Sequence, residues 1–189
     1  MAQSINSQML VNQTAAGTAF NTYTTAKSVI NAQALTTLPP GWWYPGRTIE
    51  VSVDGALSNI VTTPGTITFQ VMMGSIVAFT TGAIQLNATA HTLLPFTFDA
   101  RLTCRAVGAS TSANLIGQAR LGGIHFTLTA GQVDAVNTSG LFMAPATAPA
   151  VGTGFDSTIA NILDFWAGFS ISNAGNGVTI HQYRVVALN

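Results

Sequence analysis

The chain's only imidazole bases, and its best transition-metal ligands, are His91, His125 and His181. They lie far apart and form no H-x-x-x-H pair. A metal site would therefore need them to converge from neighbouring strands, as in a cupin-like site. Nucleophilic catalysis needs Ser or Cys beside a base, with donors for an oxyanion. No G-x-S-x-G elbow occurs, and the single cysteine, Cys104, alternates in phase with apolar neighbours. That phase predicts a buried, inert thiol, and one cysteine excludes an intrachain disulfide. The acidic side chains are Glu50, Asp54, Asp99, Asp134, Asp156 and Asp164. Glycoside hydrolysis needs two carboxyl groups flanking the scissile bond across a cleft, which spacing alone does not reveal. Asp54 precedes Gly55 and reads as a turn residue; Asp99 and Arg101 read as a pair on one strand face. No helix is expected for a phosphate-binding glycine loop to precede. These residues predict no catalytic constellation, no cofactor and no metal, and the expected protein is not an enzyme.

The element that must position these groups is the stretch from Leu93 to Val107. In it Phe96, Phe98, Ala100, Leu102, Cys104 and Ala106 alternate with Thr97, Asp99, Arg101, Thr103 and Arg105. A period of two puts the apolar set on one face of a long antiparallel strand and three charges on the other. The same alternation marks Arg47 to Asp54, with Ile49, Val51 and Val53 inward and Thr48, Glu50 and Ser52 outward. Asp54-Gly55 is expected to turn the chain there. Pro64-Gly65 then precedes a strand from Thr66 to Met73, followed by shorter ones at Ile76 to Phe79 and Ala83 to Ala88. Asn114 to Leu128 changes phase at Gly122-Gly123, which predicts a bulge or a bend between sheets. Thr129 to Thr158 lacks periodicity, and any variable contact surface is expected there. Two strands close the chain: Phe165 to Ile171, an expected hairpin turn at Asn173 to Gly177, and Val178 to Leu188 with a phase shift near His181-Gln182.

Residues 1–26 show no sustained period and read as a flexible terminus or as an arm that orders against a neighbouring subunit. Ser28 to Leu35 is expected to hold a first short strand. Trp42, Trp43 and Tyr44 sit in a Pro/Gly-rich loop. Their readings are a plug for one end of the fold, a subunit interface, or a sugar-binding platform. Eight to ten short strands with Gly/Pro turns and no long helix predict an all-β, antiparallel sandwich of jelly-roll type over residues 27–189.

Only 6% of the residues are charged and the net charge is zero, against roughly 25% charged in ordinary domains. Such a surface has little electrostatic protection against association, so coverage by other subunits is expected. Six scattered basic residues make no nucleic-acid patch. No secretory signal is read at the N-terminus, so the sequons at Asn12, Asn87 and Asn137 are taken as chance. Ile67 to Leu86 is apolar enough to raise a membrane span, but its alternation and its Gly74 and Gly82 turn signals read as strands, and no membrane contact is expected.

Several segments together resemble tailed-bacteriophage virion structural proteins. They are Leu38 to Gly41 with Pro45 to Asp54-Gly55, the alternating run from Pro95 to Cys104, and the closing Phe169 to Asn173 with Val178 to Gln182. The resemblance covers residues 38–189 and rests on strand and turn patterns, so it carries no functional residues. It implies a small jelly-roll subunit of head-decoration, cement, fibre or minor capsid and tail type, commonly trimeric. On that reading Trp42, Trp43, Tyr44 and Trp166 pack at subunit or sheet ends. The partners are copies of the chain and the major capsid protein or other virion proteins, and the location is the virion. The alternatives are a carbohydrate-binding or adhesin-like module of a phage tail or fibre, and a β-sandwich enzyme with a spatially assembled site.

Overall fold

The computed structural model describes residues 7–127, 142–145 and 150–188. Alternation turns into strands as expected: Phe96, Phe98, Ala100, Leu102 and Cys104 are buried, whereas Asp99, Arg101 and Arg105 are exposed. In chain order the strands are β1 (Ser7–Asn12), β2 (Phe20–Asn21), β3 (Lys27–Ser28), β4 (Thr36–Leu38), β5 (Thr48–Asn59), β6 (Thr66–Met73) and β7 (Ile76–Thr80). They continue with β8 (Ile84–Gln85), β9 (His91–Ala106), β10 (Asn114–Gly122), β11 (Phe142–Ala144), β12 (Ala150–Val151), β13 (Asn161–Phe169) and β14 (Gly177–Leu188). Among the described residues no helix is long and apolar enough to cross a membrane. Ile67 to Leu86, the stretch that raised the question, is built from β6, β7 and β8.

Two antiparallel sheets pack face to face. The larger has the order β1-β14-β5-β9-β10-β11, and the smaller has β3-β13-β6-β7, with β4 on β13 and β8 on β6. Following the chain, β1 belongs to the first sheet, β3 and β4 to the second, β5 to the first, β6 and β7 to the second, β9 to the first, β13 to the second and β14 to the first. That is the double Greek key of a jelly roll. Strand β10 adds to it by a hairpin on β9, and β11 and β12 pair with β10.

The core is aromatic where the sheets meet. Phe69 of β6 stacks on Phe165 of β13 at 5.6 Å and on Phe96 of β9 at 5.4 Å. Phe98 of β9 meets Phe165 edge-on at 5.0 Å. Pairs at these spacings add about 0.5–1.5 kcal/mol each beyond the burial of their area.

Several local expectations change. Asp54-Gly55 is not a turn: β5 runs through it to Asn59, antiparallel to both β9 and β14. Glycine is required there by close approach instead. A Cβ at residue 55 would lie 2.4 Å from the Thr179 carbonyl and 2.9 Å from Cε1 of Phe96, opposite the bulge at His181 where the β14 register slips. Asn173 to Gly177 is not a hairpin, because β13 and β14 belong to different sheets; the segment carries the chain across the sandwich. Asn176 holds that crossing, donating to the Pro64 carbonyl at 2.9 Å and accepting from Ile60 N at 3.0 Å.

Ser28 to Leu35 is not one strand. It holds the end of β3 and a 3-10 turn at Ala32–Ala34, capped by Asn31 Oδ1 on Gln33 N at 2.9 Å. The phase change at Gly122-Gly123 is a bend between sheets. Gly123 has a φ of +155°, and beyond it Phe126 bridges Leu86 while Asn87 N donates to the His125 carbonyl at 2.6 Å. Within the segment read as an arm or flexible terminus, β1 pairs with β14 of the same chain and β2 pairs with β14 further along. Much of the aperiodic stretch from Thr129 to Thr158 lies outside the described residues.

Gly55→Ala is expected to lower stability by about 1–3 kcal/mol, the usual cost of forcing extra volume into a packed site. A urea midpoint equal to that of the unmodified chain would refute the close-approach account.

Candidate functional site

Charge has collected on the outer face of the larger sheet. Alternation along β5, β9, β10 and β14 places Glu50, Asp54, Asp99, Arg101, Arg105, Arg120 and Arg184 there, seven of the chain's twelve charged residues. Lateral register then orders them. One row crosses four strands as Arg184, Ser52, Asp99 and Arg120; the next crosses as Val186, Glu50, Arg101 and Gln118. A third brings Thr48 beside Thr103, whose hydroxyls are 2.8 Å apart. Between these rows and Met143 of β11 lies a groove of about 580 Å³.

Electrostatics within the groove is uneven. Arg101 Nη2 and Nε reach Glu50 Oε1 at 2.6 and 2.8 Å. Among the described residues Arg120, Arg184 and Asp99 make no ion pair. The two arginines stand at the ends of one row, three inter-strand steps or about 14 Å apart by backbone spacing. Guanidinium forks of this kind suit carboxylate or phosphate-type anions, and Ser52, Thr103 and Gln118 add hydroxyl and amide groups. Glu50 and Asp99 stand side by side on the groove floor, since Asp99 is opposite Ser52 and Glu50 opposite Arg101. They do not face each other across a cleft. Among the described residues no cysteine or histidine lines the groove. Cys104 is buried on the opposite face of β9, where burial pushes its thiol pKa up. The arrangement can recognise a polar or anionic partner.

The aromatic candidates lie elsewhere. Trp43 is buried and meets Phe155 at 6.1 Å, closing one end of the sandwich. Trp42 packs edge-on against Trp43 at 4.7 Å, and Tyr44 is exposed. The Arg47 guanidinium lies between Trp42 and Tyr44, 4.3 Å from each ring centre, and also donates to the Trp42 carbonyl. Trp166 stands half-buried on the outer face of the smaller sheet, its Nε1 donating to Asp164 at 2.6 Å. Asp164 also accepts from Ser28 Oγ at 2.8 Å. These residues do not form one site with the groove.

Two of the three histidines do converge. The rings of His91 and His125 are 5.4 Å apart at 71°, while His181 sits in the β14 bulge. Among the described residues no group of three or more His, Cys, Asp or Glu side chains gathers. Sequence reasoning paired Asp99 with Arg101 and missed Arg120 and Arg184. Both follow the strand alternation, but only the register places them in line with Asp99.

Fold and groove define an antiparallel β-sandwich of jelly-roll type with a charged outer face. No protein-family model and no curated protein matches the chain.

Glu50→Gln is expected to change stability by less than about 1 kcal/mol, because the Arg101 partner is largely exposed. A larger loss in chemical denaturation would mean that the pair orders the groove. His125 gives a pH dependence. Burial, then the neighbouring His91, pushes its pKa down to about 4 from 6.5. The unfolded chain therefore binds a proton between these values that the folded chain does not. Stability should be fully present above pH 6.5 and fall by about 3 kcal/mol as the pH drops to about 4. In His125→Phe that share of the slope should vanish; an unchanged urea midpoint-against-pH curve contradicts the assignment.

Proposed function

We propose that this chain is a non-enzymatic virion structural protein of a bacteriophage, a jelly-roll subunit that forms trimers and decorates or stabilises the capsid through subunit contacts. The observation that supports this most is where the charges are not. With seven of twelve on one sheet face, few charges remain for the sandwich ends: among the described residues Arg47 and Asp156 stand at one of them, and both ends carry exposed apolar side chains. Val61, Leu93 and Ile124 stand at one end, and Tyr44, Val107 and Ile159 at the other. Removing such surface from water contributes about 25 cal/mol per Å², and a specific interface hides roughly 800 Å² per partner. The partners on this reading are copies of the chain and the major capsid protein or other virion proteins. Arginines interleaved with carboxylates do not make the continuous basic stripe that nucleic acid requires.

A second reading, a carbohydrate-binding or adhesin-like module of a tail or fibre, is favoured by the hydroxyl, amide and guanidinium lining of the groove.

Light scattering on the purified chain is expected to give three times the 19.6 kDa chain mass. A monomer that binds members of a glycan array would overturn the trimeric decoration reading and support the second.

A further inference from the structure

His125 is fully buried, and neither of its ring nitrogens closes a hydrogen bond of good geometry. Buried polar atoms nearly always find one, so an orphaned imidazole calls for an explanation. Its neighbour supplies the direction. The Asn59 side-chain amide donates to the carbonyls of Asn87 at 2.6 Å and Thr89 at 2.8 Å, which turns Asn59 Oδ1 toward His91. His91 Nδ1 lies 3.1 Å from that oxygen and must be the donor, so Nε2 carries the free lone pair. Metal-ligating histidines are oriented in this way, with the other ring nitrogen donating to an amide, carboxylate or carbonyl oxygen. The Leu57 carbonyl, two residues from Asn59 on β5, is the one backbone group that acts on the His125 ring, as a loose hydrogen-bond acceptor short of good geometry, and it can engage only one of the two nitrogens. Ring spacing agrees as well. With metal–nitrogen bonds of about 2.0–2.1 Å, two imidazoles at a tetrahedral angle hold their ring centres about 5.2 Å apart. The observed separation is 5.4 Å.

We propose that His91 and His125 form a two-histidine site for a borderline divalent transition-metal ion such as Zn2+ or Cu2+. Water completes the coordination on the half-exposed His91 side. Neutral imidazole suits such ions, whereas Mg2+ and Ca2+ favour carboxylate oxygens, and among the described residues no Asp or Glu side chain joins the two rings. The site lies at the sandwich end formed by β5, the start of β9 and the bend after β10, and does not depend on the virion reading.

The test uses the full chain without a polyhistidine tag, stripped with EDTA and titrated calorimetrically with Zn2+ alone. One ion per chain is expected to bind. His91→Gln and His125→Phe should each weaken binding at least about tenfold, while His181→Gln should leave it unchanged. With Cu2+ in place of zinc, the paramagnetic resonance spectrum should show two coupled nitrogens, and one in His91→Gln. Should His125→Phe fail to fold, His91→Gln decides alone, since its half-exposed ring leaves the core intact. Absence of zinc uptake by the unmodified chain, or uptake that persists in His91→Gln, overturns the site.

Discussion

Face-to-face packing of two sheets through Phe69, Phe165, Phe96 and Phe98 is the interaction on which this molecule depends. Phe69 and Phe165 come from the smaller sheet, Phe96 and Phe98 from the larger, and their rings interlock at 5.0 to 5.9 Å. Each ring sits in phase with the apolar side chains of its own strand, so burying one ring buries the whole face. Sheets that pack this way stand about 10 Å apart, which leaves the inner layer no room for solvated charge. Every charged residue of β5, β9, β10 and β14 therefore appears on the outer side of the larger sheet.

That exclusion explains the groove. A strand can place one charge every second residue on its outer face, and four neighbouring strands do so in register. Glu50 and Arg101 neutralise each other directly across β5 and β9. Arg120, opposite Asp99 in register, and Arg184, two strands from it, make no ion pair among the described residues and are left to water or to whatever binds. The rest of the surface inherits the chain's low charge, and its exposed apolar side chains stand both at the sandwich ends, as Val61 and Ile124 do, and on strands, as Met9 and Ile162 do.

Two of the crossings between sheets matter for the same reason. Gly123 and Asn176 carry the chain from one sheet to the other. The first of these bends brings His125 down beside His91, under loops tied together by Asn59 and Asn87. A polar pair, His125 buried and His91 half-exposed, is thereby set at one end of the sandwich, while Trp43 and Phe155 pack across the opposite end.

Alternation between Thr48 and Val53, Thr66 and Met73, and Phe96 and Cys104 determined the strands and their inner faces, because a period of two is a local property of side-chain direction. The fold class and the burial of Cys104 followed from it. Gly55 was misread as a turn, since a glycine demanded by a distant carbonyl looks the same in one dimension as one demanded by a turn. Asn173 to Gly177 was misread as a hairpin for a related reason: turn-forming residues say that the chain reverses, not which sheet receives it. Which charges share a groove, and which two of three histidines meet, depended on register between strands many residues apart. Such pairings are decided by the packing of the whole sandwich, and only the tertiary structure contains them.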